Sequence, residues 1–226
     1  MRRRRFLWAP LLWQLLLTPH AGAESVVPSQ TWFVQRVSTG EAPLRVEYLW
    51  SKGGRLRAET VVAGRPILTL VAGEFYYVID TLAGKGVAIR RHARAISAEA
   101  AGERPFANEG RSMLAEGAER IGSGSQPGRP CDVYRLTNRR GRREICLTRD
   151  EFQLPVRSTE FDRASGRSVE TRYLDWARGF PAPDVFFEPD PRVELERVEY
   201  DAYLDRSRRD TVGPAPVLYR VLLHGP

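Results

Sequence analysis

The stretch 44–50 reads LRVEYLW, and the stretch 55–62, which follows a turn at positions 51 to 54, reads RLRAETVV. In both stretches apolar or β-branched residues recur at every second position. They are Leu44, Val46, Tyr48 and Trp50 in the first, and Leu56, Ala58, Thr60 and Val62 in the second. A period of two is typical of β-strands, because successive side chains point to opposite faces of a sheet. Two such stretches joined by a Gly-Gly turn predict antiparallel neighbours.

The same rhythm continues along most of the chain. Turns recur roughly every ten residues up to residue 91, and strands are predicted again at 131–137, 143–148, 152–161, 168–176 and 193–200. Residues 67–71 carry apolar side chains at both odd and even positions. This predicts a strand that is covered on both faces. Short helices are predicted at 97–102 and 107–119 and a loop at 121–128. The fold class is therefore mainly β (α+β), with a curved antiparallel sheet or barrel.

The N-terminus has the order of a secretory signal peptide. Arg2 to Arg5 precede an apolar stretch at 6–17, and Ala21-Gly22-Ala23 supplies small residues for cleavage after Ala23. About 12 apolar residues are too few to span a bilayer comfortably, although an uncleaved anchor is the alternative. We expect a signal peptide at 1–23, a domain at 24–200 and a tail at 201–226. Export by either the general or the twin-arginine route would place the chain in the periplasm without a stable transmembrane anchor.

Charge and motifs argue against several function classes. The net charge is +7, and removing the four arginines of the leader leaves +3, which is weak support for nucleic-acid binding. The sequence lacks a G-x-S-x-G motif, an H-E-x-x-H motif, a P-loop and a dinucleotide-binding fingerprint. Beyond the leader only His92 and His224 remain, without metal-ligand spacing. We therefore expect no metal, no cofactor and no catalysis.

Cys131 and Cys146 lie on predicted neighbouring strands around the turn at 138–141. Residues about equally distant from a hairpin turn come close enough for a disulfide, and the periplasm is oxidising. We predict a Cys131–Cys146 disulfide. The basic run Arg139 to Arg143 at this turn is either a solvated hairpin tip or a contact for an anionic partner such as lipid phosphate.

Aromatic residues are concentrated on predicted strands, and two interpretations of them remain open. They can form a packed core, or they can line an apolar cavity under the predicted helices. A packed interior and a hollow one have different functional consequences, and the sequence pattern is the same for both.

The order of these features resembles the LolA/LolB-like periplasmic lipoprotein-carrier superfamily. The resemblance rests on Gly54 to Glu59 with the spacing G-x-x-R-x-E, on Gly73 to Asp80, on the cysteine hairpin and on Asp184 to Pro189. It implies an unclosed β-barrel with a short helical lid, whose concave face holds acyl chains near an arginine. The candidate ligand-binding residues are Arg45, Trp50, Arg57, Phe75, Tyr77, Phe161 and Tyr173.

The function expected from the resemblance is binding or carrying of a lipid or lipoprotein, without catalysis. The alternative is a protein-interaction or sensor module that binds an envelope protein, with residues 217–223 as the docking segment. An enzyme without a recognisable motif is the third hypothesis.

Overall fold

The computed structural model describes residues 30–40, 43–99, 104–126 and 128–226. The predicted signal peptide at 1–23 lies outside these residues. The first half of the chain forms six consecutive strands joined by short turns: β1 (Thr31–Gly40), β2 (Arg45–Lys52), β3 (Arg55–Val62), β4 (Arg65–Ala72), β5 (Phe75–Asp80) and β6 (Lys85–Arg90). These bounds confirm the strands predicted from the period of two.

After β6 the described residues add the helices and six more strands. The helices are α1 (Ala93–Ser97), α2 (Glu109–Ala115), a 3₁₀ helix (Asp184–Phe187), α3 (Tyr200–Ser207) and α4 (Arg220–His224). The strands are β7 (Glu119–Gln126), β8 (Arg129–Thr137), β9 (Gly141–Thr148), β10 (Pro155–Asp162), β11 (Ser168–Arg178) and β12 (Glu194–Val198). Within the described part of the chain, no helix combines the length and apolar character needed to cross a bilayer.

The strands of the described residues form one sheet, in the order β12-β6-β5-β4-β3-β2-β1-β11-β10-β9-β8-β7. Neighbours are antiparallel except β12 and β6, which run parallel. In this order β12 and β7 stand at opposite ends and are not paired with each other. The sheet is therefore an unclosed, curved barrel with a few short helices, and the predicted fold class is confirmed.

The main hydrophobic core lies on one face of the sheet, which we call the inner face. The register brings Val34 opposite Leu49, and Leu56 opposite Val71, which in turn faces Tyr76. All five side chains are fully buried. Since side chains alternate between faces, this register assigns every other residue of β1–β6 to the inner face.

The inner face is filled by segments of the same chain. Val212, Ala215, Val217 and Leu223, from the region predicted as a tail, are buried in the main core. The buried Arg91 guanidinium donates to the carbonyl of Leu222 at 2.7 Å and helps to hold this segment. The interior is therefore a packed core in which residues 208–226, here called the C-terminal segment, lie across the sheet.

The predicted disulfide joins Cys131 and Cys146, with Cα atoms 5.5 Å apart. The register is offset by two positions from the expected one, because Cys131 pairs with Thr148 and Cys146 with Val133. The bridge therefore runs diagonally across β8 and β9. Diagonal neighbours on one face of an antiparallel pair are still within reach of each other.

Predictions between positions 93 and 128 were partly wrong. α1 begins earlier than expected, because the His92 ring accepts a hydrogen bond from the Arg94 amide and caps it. The predicted helix at 97–102 is absent at 98–99, and 100–102 lie outside the described residues. α2 is shorter than 107–119. Most of the predicted loop at 121–128 is the edge strand β7, where Gly and Ser are tolerated because only one side pairs.

Candidate functional site

The register divides the seven candidate ligand-binding residues between the two faces of the sheet. Trp50 pairs with Arg57, and Arg57 pairs with Leu70, which pairs with Tyr77. Along each strand these residues alternate with buried residues of the inner face such as Leu49. Their side chains therefore point to the other face of the sheet, which we call the outer face. Trp50, Arg57 and Tyr77, which were predicted to line a concave face, thus lie on the face opposite the main core, because their positions have the opposite parity.

The 3₁₀ helix Asp184–Phe187 covers this outer row. The Phe186 ring is 5.6 Å from the Trp50 ring, and the Arg57 guanidinium lies 4.5 Å above Phe186. Arg57 also donates to the carbonyl of Phe186 at 3.0 Å, and Phe187 is fully buried. Because its guanidinium is engaged by Glu59 and by this backbone carbonyl, Arg57 anchors the cover.

Phe75 and Phe161 also lie on the outer face. Phe75 pairs with Arg90, whose guanidinium is 5.3 Å from its ring. Phe161 pairs with Arg142 on the other half of the sheet and is exposed. They are far apart in the strand order, so the structure does not bring these two rings together with Trp50 into one pocket.

Two candidates, Tyr173 and Arg45, do lie on the inner face. Tyr173 on β11 is opposite Arg36 on β1, and it is buried in the main core. Burial raises the pKa of the Tyr173 hydroxyl, which stays protonated. Tyr173 is thus a core residue, whereas Arg45, at the start of β2, reaches the surface.

A buried ion pair, which the sequence did not reveal, lies beside these two residues. The Arg36 guanidinium donates to both oxygens of Glu47, at 2.8 and 2.9 Å. The Glu47 carboxylate is fully buried and accepts a third hydrogen bond, at 2.8 Å, from the Tyr219 hydroxyl of the C-terminal segment. The backbone amide of Tyr219 donates to the Tyr76 hydroxyl at 3.1 Å. These contacts fix the C-terminal segment to the inner face.

The protonation states follow from this geometry. Burial by itself would raise the pKa of Glu47, but the hydrogen bonds and charge of Arg36 outweigh it and hold that pKa below its usual range. Burial opposes the charge on Arg36, yet its contact with Glu47 raises its pKa. Burial, together with the negative charge of Glu47, keeps the pKa of Tyr219 well above its usual value. Arg36 and Glu47 therefore form a charged pair, and the neutral Tyr219 hydroxyl donates to it. The role of this cluster is to hold the C-terminal segment in place.

Next to this cluster an apolar groove of about 340 Å³ opens between the sheet and the C-terminal segment. We call it the rim groove. It lies where β1 ends, β2 begins and β3 turns into β4. Its apolar lining is Pro43, Leu44, Val61, Val62, Ala63, Val169, Pro216 and Leu218. The volume lies within the roughly 300–1,000 Å³ typical of small-molecule sites.

Arg45 supplies the cationic group of the rim groove. Its side chain is 44% exposed and lies 3.7 Å from Glu47, whose carboxylate is already held by Arg36. Ser38 and Thr39 add hydroxyls to the lining. An apolar groove with an arginine at its edge suits an amphiphile that combines a hydrocarbon chain with an anionic head. Of the candidates predicted from the sequence, Arg45 alone lines this groove.

Among the residues that the structure describes, no three His, Cys, Asp or Glu side chains are grouped so as to hold a metal ion. The Glu47 carboxylate, which Arg45 of the groove lining contacts, also accepts two hydrogen bonds from Arg36.

No protein-family model matches the sequence, and no curated protein matches it either. Among solved structures, an uncharacterized conserved protein from Thermus thermophilus superposes with a TM-score of 0.49 at 11% identity, covering 75% of this chain and 91% of that one. MucB of Pseudomonas aeruginosa, solved with MucA, gives 0.46 at 16% identity, covering 75% and 59%. The lipoprotein LppX of Mycobacterium tuberculosis gives 0.38 at 10% identity, covering 68% and 88%.

All three superpositions are loose and all three sequence identities are low. Likenesses of this kind carry no argument about function. Whether the chain belongs to the carrier superfamily it resembles stays a prediction.

Proposed function

We propose that this protein, exported to the periplasm after removal of residues 1–23, is a non-catalytic protein that binds the acyl chain of a lipid or lipoprotein in the rim groove. The observation that carries the proposal is the pairing of an apolar groove of about 340 Å³ with the half-exposed Arg45. Each methylene buried there would contribute about 0.8 kcal/mol.

The rim groove replaces the concave cavity expected from the resemblance. The inner face carries a packed core that includes Val217 and Leu223, so a hydrocarbon chain would lie along the rim. Leu44 and Val61 are 67% and 61% exposed, and large apolar side chains left in water beside a groove are typical of ligand contacts. A bound chain would remove both from water.

The expected head group follows from Arg45. Because Arg36 already makes the bidentate contact with Glu47, the Arg45 guanidinium keeps donors available for a carboxylate or phosphate. An anionic amphiphile therefore fits better than a neutral one.

The alternative function, with residues 217–223 as a docking segment for an envelope protein, has less support. Val217 and Leu223 are buried, and Tyr219 donates to Glu47 inside the cluster. Arg220 and Val221 are exposed, but Val217 and Leu223 would be accessible to a partner only after the segment had left the inner face.

A fluorescent fatty acid titration tests the proposal. We expect Val61→Glu to weaken binding at least tenfold, because it places a charge in the groove. Val185→Glu is the matched control, since Val185 is 69% exposed and lies on the outer 3₁₀ helix. Arg45→Gln should weaken binding of the fatty acid but not of the corresponding fatty alcohol. No binding by the unmodified protein, or equal losses in Val61→Glu and Val185→Glu, would refute the proposal.

A further inference from the structure

Antiparallel alternation places five connections at one end of the sheet. They are the connection from β1 to β2 and the turns between β3 and β4, β5 and β6, β8 and β9, and β10 and β11. We call this end the hairpin rim. The rim groove opens at the same end, beside the turn at 63–64.

On one side of the hairpin rim two arginine-rich turns lie against each other. The Arg163 amide donates to the Arg140 carbonyl at 2.8 Å, and Gly141 pairs with Asp162. A Cβ atom at Gly141 would overlap the carbonyl oxygen of Phe161, so glycine is required for this close approach. The contact brings Arg139, Arg163 and Arg167 to one edge.

These three arginines are exposed and make no direct ion pair, and they outnumber the one ionised carboxylate of their turns, Asp162. Within residues 30–40, 43–99, 104–126 and 128–226, none of their guanidinium groups makes an ion pair or a side-chain hydrogen bond. The nearest carboxylate in sequence, Asp162, accepts hydrogen bonds from the amide and hydroxyl of Ser165 instead. Three unpaired cations at one edge produce a positive potential there.

At the opposite end of the sheet, several basic groups have acidic partners. Arg90 lies between Glu74 and Glu199, at 2.6 and 2.9 Å. Lys52 contacts Asp184 at 2.7 Å. Each of these two cations has a carboxylate within ion-pair distance, whereas Arg139, Arg163 and Arg167 of the two touching turns have none.

Exposed apolar side chains accompany this charge at the hairpin rim. Leu82, at the turn between β5 and β6, is 85% exposed, which exceeds the exposure of both Leu44 and Val61 at the neighbouring connections. Leu82 lies outside the rim groove, so its exposure is not explained by the proposed acyl ligand.

We propose that the hairpin rim docks on the surface of a bilayer that contains anionic lipids. The unpaired arginines match the negative charge of lipid phosphates, and the apolar tips enter the boundary between head groups and acyl chains. This surface does not require the rim groove to hold a ligand. An acidic protein would complement the arginines equally well but would leave the Leu82 side chain in water. A bilayer accommodates both features, so we favour it as the partner.

Vesicle flotation tests the docking surface. The protein is purified from cells that export it, and mass spectrometry establishes its N-terminus, so that every variant is compared in the same processed form. Vesicles of pure phosphatidylcholine are compared, at low and at physiological salt, with vesicles in which about a third of the lipid is phosphatidylglycerol. The test variant is R139A/R163A/R167A. The matched control is R94A/R129A/R149A, which removes the same charge from the opposite end.

We expect binding to the anionic vesicles alone, weakened by salt. The R139A/R163A/R167A variant should lose roughly 100-fold in partition coefficient, from about fivefold for each basic residue. The control should lose less than threefold. Leu82→Ser should lose about tenfold without changing the salt dependence. Equal losses in the two arginine variants would overturn the proposal. So would retention on a polyglutamate resin without vesicle binding, which would indicate an acidic protein partner.

Discussion

The contact between Tyr219 and Glu47 gives the sharpest prediction, because it joins side chains 172 positions apart in the sequence. In Tyr219→Phe the ring stays and only the hydroxyl is lost. A hydrogen bond to a buried charge contributes about 1.5–3 kcal/mol. We expect the free energy of unfolding to fall by that amount, since Glu47 is fully buried and cannot recruit water in compensation. If the C-terminal segment were a free tail, Tyr219→Phe would hardly change the free energy of unfolding.

Glu47→Gln is expected to cost more than Tyr219→Phe. It removes the carboxylate that accepts two hydrogen bonds from Arg36, at 2.8 and 2.9 Å, and leaves the largely buried guanidinium with only the more distant Glu109 carboxylate, at 3.7 Å. Breaking a buried ion pair in this way costs about 3–5 kcal/mol. Because the two residues are in contact, the double variant should lose about 0.5–3 kcal/mol less than the sum of the single losses.

Urea denaturation followed by tryptophan fluorescence measures these losses, and an unchanged m-value would show that the unfolding transition itself is preserved. Tyr48→Phe is the matched control. Tyr48 neighbours Glu47 on β2, points to the outer face and is exposed. Its substitution should change stability by less than about 0.5 kcal/mol. If Tyr219→Phe costs no more than Tyr48→Phe, the C-terminal segment does not lie on the inner face.

Two further predictions concern the disulfide and the loss of stability at acidic pH. C131S/C146S should lower the free energy of unfolding by about 3 kcal/mol, because the bridge joins cysteines 15 positions apart, and equal urea midpoints would contradict this. The pKa of Glu47 is lower when folded than when unfolded, where it is about 4.3. Its stabilisation is therefore complete above about pH 5 and lost as pH falls through the lowered folded value. Urea midpoints between pH 7 and pH 3 should fall less in Glu47→Gln, and an identical acid dependence would contradict the assignment.

Local features of this protein are visible in its sequence. A period of two located the strands of the first half, and apolar residues at both parities correctly predicted that β4 is covered on both faces. The pairing of Cys131 with Cys146 followed from hairpin geometry, although the register was offset by two positions. These features depend on neighbouring residues, whose alternation and turn chemistry are readable in one sequence.

Which face of β2 points inwards was decided only by tertiary structure. The sequence predicted Trp50 on the inner face, yet Glu47 is buried there and Trp50 packs outside against Phe186. A period of two defines two faces but does not say which of them meets the core.

The choice of face depended on partners far away in the chain. Phe186 covers the outer row from the second half of the chain, and Tyr219 completes the Glu47 cluster from 172 positions away. The rim groove likewise needs Leu218 of the C-terminal segment beside Val61. The sequence by itself determined most of the strands, their turns and the disulfide pair. The folded chain decided what fills the interior and where a groove is left, because those depend on contacts between segments that no local pattern encodes.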